Sequence, residues 1–209
     1  MGTGPRAVTV EPSGRFAYVV YATTNQVSRF PINQTTGALG AEVALPLAAT
    51  AAPRAIVADP AGRFLYVANT GTHTVSAYLI DATTGSLTEI AGSPFAVAPG
   101  TGPVALSADP LGQFLYIANK TTNNVSAFAI DQTSGALAAL AGSPFALAPA
   151  TSPQSIAVEL SGRFAYVANA SGTVTAFAID QTTGALSAVA GSPFAAGLNP
   201  SAVTTVGRF

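Results

Sequence analysis

A short segment recurs along the chain at a nearly constant spacing, and this repeat limits the fold more than any other feature. Its clearest copy is Pro53 to Asn69, which reads PRAIVADPAGRFLYVAN. Related segments begin at Pro5, Pro103, Pro153 and Pro200, so that successive starts lie 47 to 50 residues apart. A fixed period of this size is typical of repeat architectures. We therefore divide the chain into units 5–52, 53–102, 103–152 and 153–199, with an extra first strand at 200–209.

Each unit contains four short stretches with the composition of β-strands. In the second unit they are the apolar run 55–58, residues 64–68, residues 75–80 and a strand that begins at 86–87. An Asp-Pro-x-Gly-Arg turn separates the first two, because Pro presets φ and Gly accepts a positive φ there. Four short strands per unit without a helical period predict an all-β fold. The fold class is a β-propeller of four-stranded antiparallel blades, with about four blades in one domain, 1–209.

Two other repeat or sandwich folds fit the pattern less well. A parallel β-helix has much shorter coils, and an immunoglobulin-like sandwich does not repeat itself four times. In a propeller the innermost strand and the Tyr of the second strand face neighbouring blades. We therefore expect the following side chains to be buried: Val8, Ile56, Leu106, Ile156, Tyr66, Tyr116 and Tyr166.

Composition excludes several classes of function. Only 8% of the residues are charged and the net charge is -1, so nothing indicates a nucleic-acid partner. The chain has no cysteine, which excludes disulfides and thiol chemistry. It has no apolar run long enough for membrane insertion, and its N-terminus lacks the pattern of a signal peptide. The Thr, Ser, Asn and Gln-rich polar surface favours an extracellular, periplasmic or cell-surface location over the cytoplasm.

The second strands carry a recognisable motif. Tyr66-Val-Ala-Asn69, Tyr116-Ile-Ala-Asn119 and Tyr166-Val-Ala-Asn169 each follow a Gly-Arg-Phe or Gly-Gln-Phe turn. The motif resembles the Tyr-Val-x-Asn repeat of the lactonase family, the seven-bladed propellers that include 6-phosphogluconolactonase-like proteins. The resemblance implies the propeller fold and, as an activity, hydrolysis of a sugar lactone. The chain departs from the family pattern in supplying a little over four blades, and in carrying Tyr21 where later units have Asn.

In a repeat protein, residues that recur in every unit serve the unit, whereas a site breaks the symmetry. The recurring charges occupy turns: Glu11, Asp59, Asp109 and Glu159 at one position, Asp81, Asp131 and Asp180 at another, and Arg15, Arg63 and Arg163 at a third. We interpret these acids as turn formers that accept backbone N–H bonds or pair with the turn arginine. The remaining breaks are Glu42, Glu89, Arg29, Lys120, Arg208 and His73, apart from one arginine pair.

That arginine pair is the predicted ligand-binding site. Arg6 and Arg54 each follow the proline that opens an innermost strand, whereas the equivalent residues are Val104, Gln154 and Ser201. Inner-strand ends converge at the mouth of a propeller channel, where two guanidinium groups could hold a small carboxylate or phosphate ligand. The alternative is that both are solvated residues paired with Glu11 or Asp59.

Candidates for catalysis are scarce. His73 is a weak candidate base, since it replaces the Asn of other units in a Thr-rich loop and the sequence offers no dedicated carboxylate or nucleophile beside it. One histidine without cysteines or clustered acids predicts no metal site, and no nucleotide motif indicates a cofactor. The sequence therefore favours a non-catalytic scaffold or binding module, with a lactone hydrolase that binds an anionic sugar lactone as the alternative.

An open row of blades leaves two apolar faces in water, and this predicts a homo-oligomer. Two chains joined head to tail with two-fold symmetry would give an eight-bladed ring. If the rotation does not close, the same contact gives a filament. The surplus strand from Ser201 to Val206 would lie at the junction.

Overall fold

The computed structural model describes residues 1–148 and 151–205, and all regular secondary structure in these two ranges is β. The chain divides into two compact units. The first comprises residues 1–96 and 133–136, and the second comprises residues 97–132 and the described residues from 137 onwards. Each unit contains two of the four antiparallel sheets.

The sheets repeat one topology in which strands pair in chain order. The first sheet runs β1 (Pro5–Val10), β2 (Phe16–Tyr21), β3 (Gln26–Pro31), β4 (Val43–Pro46). The second runs β5 (Pro53–Ala58), β6 (Phe64–Asn69), β7 (Thr74–Ile80), β8 (Leu87–Glu89), and β9 (Phe95–Ala96) also pairs with β7. The third runs β10 (Pro103–Ala108), β11 (Phe114–Asn119), β12 (Asn124–Ile130), β13 (Leu137–Ala139), with β14 (Phe145–Ala146) on β12. The fourth runs β15 (Pro153–Val158), β16 (Phe164–Asn169), β17 (Thr173–Ile179), β18 (Leu186–Ala188), with β19 (Phe194–Ala195) on β17. These are the four-stranded blades that the repeat predicted.

The turn between the first two strands of each sheet is held by its acidic residue. In the second sheet, Asp59 Oδ1 accepts the backbone N–H groups of Arg63 at 2.6 Å and Phe64 at 2.7 Å. Gly62 adopts φ +69°, a left-handed conformation that glycine tolerates without strain. The Asp59 carboxylate thus closes the turn and starts β6 in register, which is the role that the repeat assigned to it.

Within the first unit, the innermost strand of the second sheet packs on the first sheet. Ile56 is only 8% exposed and joins a cluster with Tyr18 and Val20. Val8 occupies the corresponding position of the first sheet and is 63% exposed, so the prediction that it is buried is wrong. The physical reason is that Ile56 packs on the first sheet and Ile156 on the third, whereas among the described residues no sheet covers Val8. Leu106 and Ile156 are buried as predicted.

In three of the four sheets, the tyrosine of the second strand reaches forward along the chain. Tyr18 donates to the carbonyl oxygen of Gly85 at 2.8 Å in the first unit, which also contains the bond from Tyr66 to Gly135 at 2.9 Å. Burial raises the pKa of the Tyr18 and Tyr66 phenols far above the usual value, so both stay neutral hydrogen-bond donors.

The second unit contains the same bond once. Tyr116 donates to the carbonyl oxygen of Gly184 at 2.9 Å. Tyr166 is only half-buried, so its predicted burial is wrong. Among the described residues, the Tyr166 hydroxyl makes no such bond to a turn glycine, and its ring is less covered than those of the other three tyrosines.

The segment after the fourth sheet runs beside β15. Val203 N donates to the Ser155 hydroxyl oxygen at 3.2 Å, and the Thr205 hydroxyl donates to Val158 O at 3.1 Å. Residues 201–205 carry no regular strand, and residues 206–209, which complete the predicted extra strand and include Arg208, lie outside the described residues. No helix in the described part of the chain has the length and apolarity needed to span a membrane.

Candidate functional site

Arg6 and Arg54 occupy equivalent positions at irregularities of adjacent innermost strands. In β1, Pro5 pairs with Tyr21 and Ala7 with Val20, so Arg6 is an extra residue in a β-bulge. The same shift between Pro53 and Ala55 places Arg54 in a bulge of β5. β1 and β5 lie against each other within the first unit. Bulges re-aim a side chain out of the regular pleat and are common next to active sites.

Both guanidinium groups are exposed and unpaired. Neither Arg6 nor Arg54 makes a hydrogen bond or ion pair within the described ranges. The alternative partners are engaged elsewhere: Glu11 accepts bonds from the backbone of Ser13 and Arg15, and Asp59 closes its own turn. Two cations on neighbouring strands without carboxylate partners leave their hydrogen-bond donors available to an external anion.

The same bulge carries no cation in the second unit. The equivalent residue of β10 is Val104, which is 5% exposed, and that of β15 is the half-buried Gln154. The bulge therefore recurs in all four sheets, whereas a charged residue occupies it only in the first two sheets. This distribution is the break in symmetry expected of a binding site.

His73 lies in the loop between β6 and β7, at the end of the second sheet where β5 begins. Its φ is +57°, and the equivalent Asn25 and Asn123 adopt +48° and +50°. Asn25 Oδ1 accepts the backbone N–H of Ala52 at 2.7 Å, so this position links the loop to the entry of the next inner strand. Asn tolerates the left-handed conformation best among non-glycine residues, and His is also enriched there. His73 is exposed and reachable by a ligand at this end of the sheet.

Two other charged breaks, Glu42 and Arg29, have local partners. The Glu42 carboxylate accepts hydrogen bonds from the Ser28 hydroxyl at 2.6 Å and from Gly2 N at 3.2 Å. The bond from Ser28 holds the pKa of Glu42 below its usual value. Arg29 replaces an alanine of the other sheets and donates to the carbonyl oxygen of Thr84. These contacts give Glu42 a structural role in the first sheet and give Arg29 a structural role between the first and second sheets.

One break was missed in the sequence. The aromatic position of the third strand is Phe30, Phe128 and Phe177 in three sheets but Tyr78 in the second. The added hydroxyl of Tyr78 is visible when the units are aligned. However, phenylalanine and tyrosine at this position both predict a buried core residue, so the difference was not taken as a sign of a site. Among the described residues, no group of three or more His, Asp or Glu side chains could hold a metal ion.

Comparison with known protein families identifies the class. The family model described as lactonase, 7-bladed β-propeller, matches residues 1–150 and 101–203. The chain therefore belongs to the lactonase family of seven-bladed propellers, as the motif in its second strands indicated. None of the curated proteins matches it.

Solved structures share the fold. A candidate 6-phosphogluconolactonase from Bacteroides uniformis is 18% identical with a TM-score of 0.82, over 93% of this chain and 56% of that one. A periplasmic gluconolactonase from Pseudomonas aeruginosa is 23% identical with a TM-score of 0.79, over 93% and 55%. A protein from Lactobacillus plantarum is 21% identical with a TM-score of 0.82, over 96% and 60%. The chain thus spans little more than half the length of these proteins.

The family corrects the functional prediction from the sequence. A non-catalytic scaffold or binding module is wrong as the main interpretation, because the family model and the two lactonase neighbours support the alternative, a lactonase-like protein. The scaffold prediction rested on low charge and on the lack of a dedicated acid–base set. Neither observation separates a scaffold from a hydrolase whose site uses few charged groups.

Proposed function

We infer that this chain takes part in the hydrolysis of an anionic sugar lactone, and that Arg6 and Arg54 bind the anionic group of the substrate. The observation that carries this is the pair of unpaired guanidinium groups at equivalent bulges of two adjacent inner strands. Membership of the lactonase family supplies the reaction class. The names of the Bacteroides and Pseudomonas relatives supply the substrate class, a gluconolactone with or without a 6-phosphate.

The charge on the substrate suits this pair. A guanidinium group presents its N–H donors in a planar fork that matches two oxygens of a phosphate or carboxylate. Hydrogen bonds to charged groups contribute about 1.5–3 kcal/mol each, which corresponds to a tenfold or larger change in affinity. Two such groups are therefore sufficient to orient a lactone by its phosphate while its ring lies over the sheet end.

Hydrolysis itself adds water to the lactone carbonyl carbon, forms a tetrahedral oxyanion and breaks the bond to the ring oxygen. This requires a base that takes a proton from water and donors that stabilise the oxyanion. His73 is the proposed base, because it is an exposed imidazole at the end of the second sheet where Arg54 lies. We also propose a location outside the cytoplasm, supported by the periplasmic relative.

The test is the hydrolysis of 6-phosphogluconolactone by this chain, followed as acid release above the spontaneous rate. We expect Arg54→Ala and Arg6→Ala each to raise KM about tenfold or more, since each removes charge-assisted bonds to the phosphate. His73→Asn should lower kcat while KM changes little, and Asn is the residue that other units carry there.

Arg163→Ala is the matched control, because this arginine belongs to a turn of the fourth sheet. It should leave KM and kcat unchanged. Acid release no faster than the spontaneous rate, or equal KM values for Arg54→Ala and the wild type, would reject the proposal.

A further inference from the structure

A cavity of about 220 Å³ opens beside the second sheet, inside the first unit. Its lining combines polar residues, among them Asn69, Ser76 and Tyr78, with apolar residues such as Leu47 and Pro94. The space has room for several waters or for one compact small molecule. It is smaller than the roughly 300–1,000 Å³ pockets of drug-sized ligands. The residues around it are separate from Arg6 and Arg54.

Two breaks of the repeat meet in this cavity. Tyr78 replaces the phenylalanine of the other three sheets, and Glu89 replaces Ala139 and Ala188 of the third and fourth. Tyr78 and Glu89 are direct cross-strand partners on β7 and β8, as Phe128 and Ala139 are on β12 and β13. One cross-strand pair has thus changed from apolar to polar at both positions. Both side chains line the cavity.

The corresponding place is filled in the first sheet. There Tyr21 replaces the asparagine, and the Glu42 carboxylate accepts the Ser28 hydroxyl at 2.6 Å and the Gln26 amide at 3.0 Å. The N-terminal residues also cover this place, since Gly2 N donates to the same carboxylate oxygen at 3.2 Å. The polar groups of the first sheet thus satisfy one another without a ligand.

In the third sheet, the loop that contains Val97 and Gly100 fills the space that corresponds to the cavity. The Ser126 hydroxyl donates to the carbonyl oxygen of Val97 at 3.2 Å. A side chain on Gly100 would come within 2.4 Å of Asn119 Nδ2, so the loop lies directly on this asparagine. The second sheet instead keeps an open cavity above the equivalent Asn69.

Asn69 forms part of the cavity wall. The residue is 2% exposed, and its Nδ2 donates to Ser76 Oγ at 2.8 Å and to Thr74 Oγ1 at 3.2 Å. Its Oδ1 is buried without a hydrogen-bond partner among the described residues, and so are the equivalent atoms of Asn119 and Asn169. The unsatisfied oxygen therefore recurs in three sheets, and the features specific to this cavity are Tyr78 and Glu89.

The groups around the cavity define the chemistry of its occupant. Glu89 offers carboxylate oxygens, one of which accepts the Ser93 hydroxyl at 3.0 Å. Burial raises the pKa of Tyr78 to about 12, so its phenol remains neutral. Carboxylate oxygens accept hydrogen bonds from hydroxyl groups, while Leu47 and Pro94 offer apolar contacts to C–H surfaces. A carboxylate without a neighbouring cation repels phosphate and carboxylate ligands.

From these observations we propose that the cavity formed by Asn69, Tyr78 and Glu89 binds a small neutral polyhydroxyl compound of monosaccharide size. Its hydroxyl groups donate to the Glu89 carboxylate and bond with the Tyr78 phenol. This site is distinct from the arginine pair and selects against the negative charge that the pair selects for. The proposal does not depend on lactone hydrolysis, because a sugar without a lactone ring satisfies the same groups.

The experiment measures binding of D-glucose to the full chain by calorimetric titration, with 6-phosphogluconate as the anionic comparison. We expect saturable D-glucose binding with a Kd on the order of 1 mM, and much weaker 6-phosphogluconate binding to an Arg6→Ala, Arg54→Ala double variant. Tyr78→Phe and Glu89→Ala should each weaken D-glucose binding about 2- to 12-fold, the effect of one hydrogen bond. Both install residues that other sheets carry, and circular dichroism confirms folding.

Ala139→Glu is the control, since it adds the carboxylate at the equivalent position of the third sheet, where the loop occupies the space. It should leave D-glucose binding unchanged. No saturable binding up to about 50 mM, roughly fifty times the expected Kd, would overturn the proposal and leave a hydrated cavity. So would equal affinity of the wild type and the Tyr78→Phe, Glu89→Ala double variant. Neither result would affect the test of lactone hydrolysis.

Discussion

The Tyr116 hydroxyl donates to the carbonyl oxygen of Gly184, 68 residues further along the chain, at 2.9 Å. Gly184 adopts φ +72°, and a side chain there would come within 2.5 Å of the Phe114 ring. The turn glycine therefore serves two purposes: it allows the left-handed turn and lets the carbonyl reach the tyrosine. The bond joins the second strand of one repeat unit to the last turn of the next, which explains why both residues recur.

Removing this hydroxyl should destabilise the protein. We expect Tyr116→Phe to lower the free energy of unfolding by about 1–3 kcal/mol, because the buried Gly184 carbonyl loses its partner. Tyr166→Phe is the control, since Tyr166 is half-buried, and a change within about 0.5 kcal/mol is expected there. Urea denaturation followed by circular dichroism measures both. Equal effects of the two substitutions would contradict the role assigned to the bond.

A core truncation separates buried from exposed inner-strand positions. Ile56→Ala should cost about 2–5 kcal/mol, because the side chain packs on Tyr18 and Val20 of the first sheet. Val8→Ala changes the equivalent but exposed position and should cost less than about 0.5 kcal/mol. The same denaturation experiment applies. A loss below about 0.5 kcal/mol for Ile56→Ala would show that the packing between the first two sheets is wrongly described.

Stability should fall in acid. Hydrogen bonds from the Thr84 backbone and hydroxyl and from the Thr83 backbone hold the pKa of Asp81 below its usual value of 3.8, and similar bonds from Thr183 and Thr182 act on Asp180. A lowered folded-state pKa adds stability that is complete above the unfolded pKa and is lost as pH falls through the folded value.

The urea midpoint should therefore stay nearly constant from about pH 5 to 8 and decrease below about pH 4. Asp180→Asn removes one titrating group and should make the acid decrease shallower. A midpoint that is constant down to about pH 2, or that already falls above about pH 5, would contradict this account.

The exposed faces predict self-association of this chain. Val8 and Val10 are exposed on the first sheet, and Tyr166 is only half-buried on the fourth. We propose that another copy covers these faces, with a two-chain ring of eight blades as the first expectation and a filament as the second. Light scattering should give at least twice the 20.7 kDa chain mass. A stable species at the monomer mass at micromolar concentration would exclude the ring.

The sequence predicted the strands well because their residues repeat. The Asp59 turn and the burial of Tyr66 and Ile56 were predicted correctly, because the residues that determine them recur in the repeat units. Val8 and Tyr166 were mispredicted because burial depends on a neighbouring sheet, which a motif within one unit does not contain. The repeat motif predicts the strands of a single blade. The burial of side chains on the first and fourth sheets depends instead on what packs against those sheets.

The candidate sites were only partly accessible to sequence reasoning. The sequence singled out Arg6 and Arg54 as a predicted site because a charge that breaks a repeat is easy to see, but their position in a β-bulge is visible only in the register of the strands. The cavity at Asn69 was missed, since it depends on how far a loop approaches the sheet. Gly100 makes that approach in the third sheet, and nothing in its sequence context shows it.

We propose that Arg6 and Arg54 recognise the negative charge of a lactone substrate. The ratio of kcat/KM for 6-phosphogluconolactone to that for gluconolactone, measured for the wild type and an Arg6→Gln, Arg54→Gln variant, tests this recognition directly. We predict that the wild type prefers the phosphorylated lactone about tenfold or more, and that the variant loses this preference while its gluconolactone activity is retained. An unchanged ratio in the variant would contradict the claim.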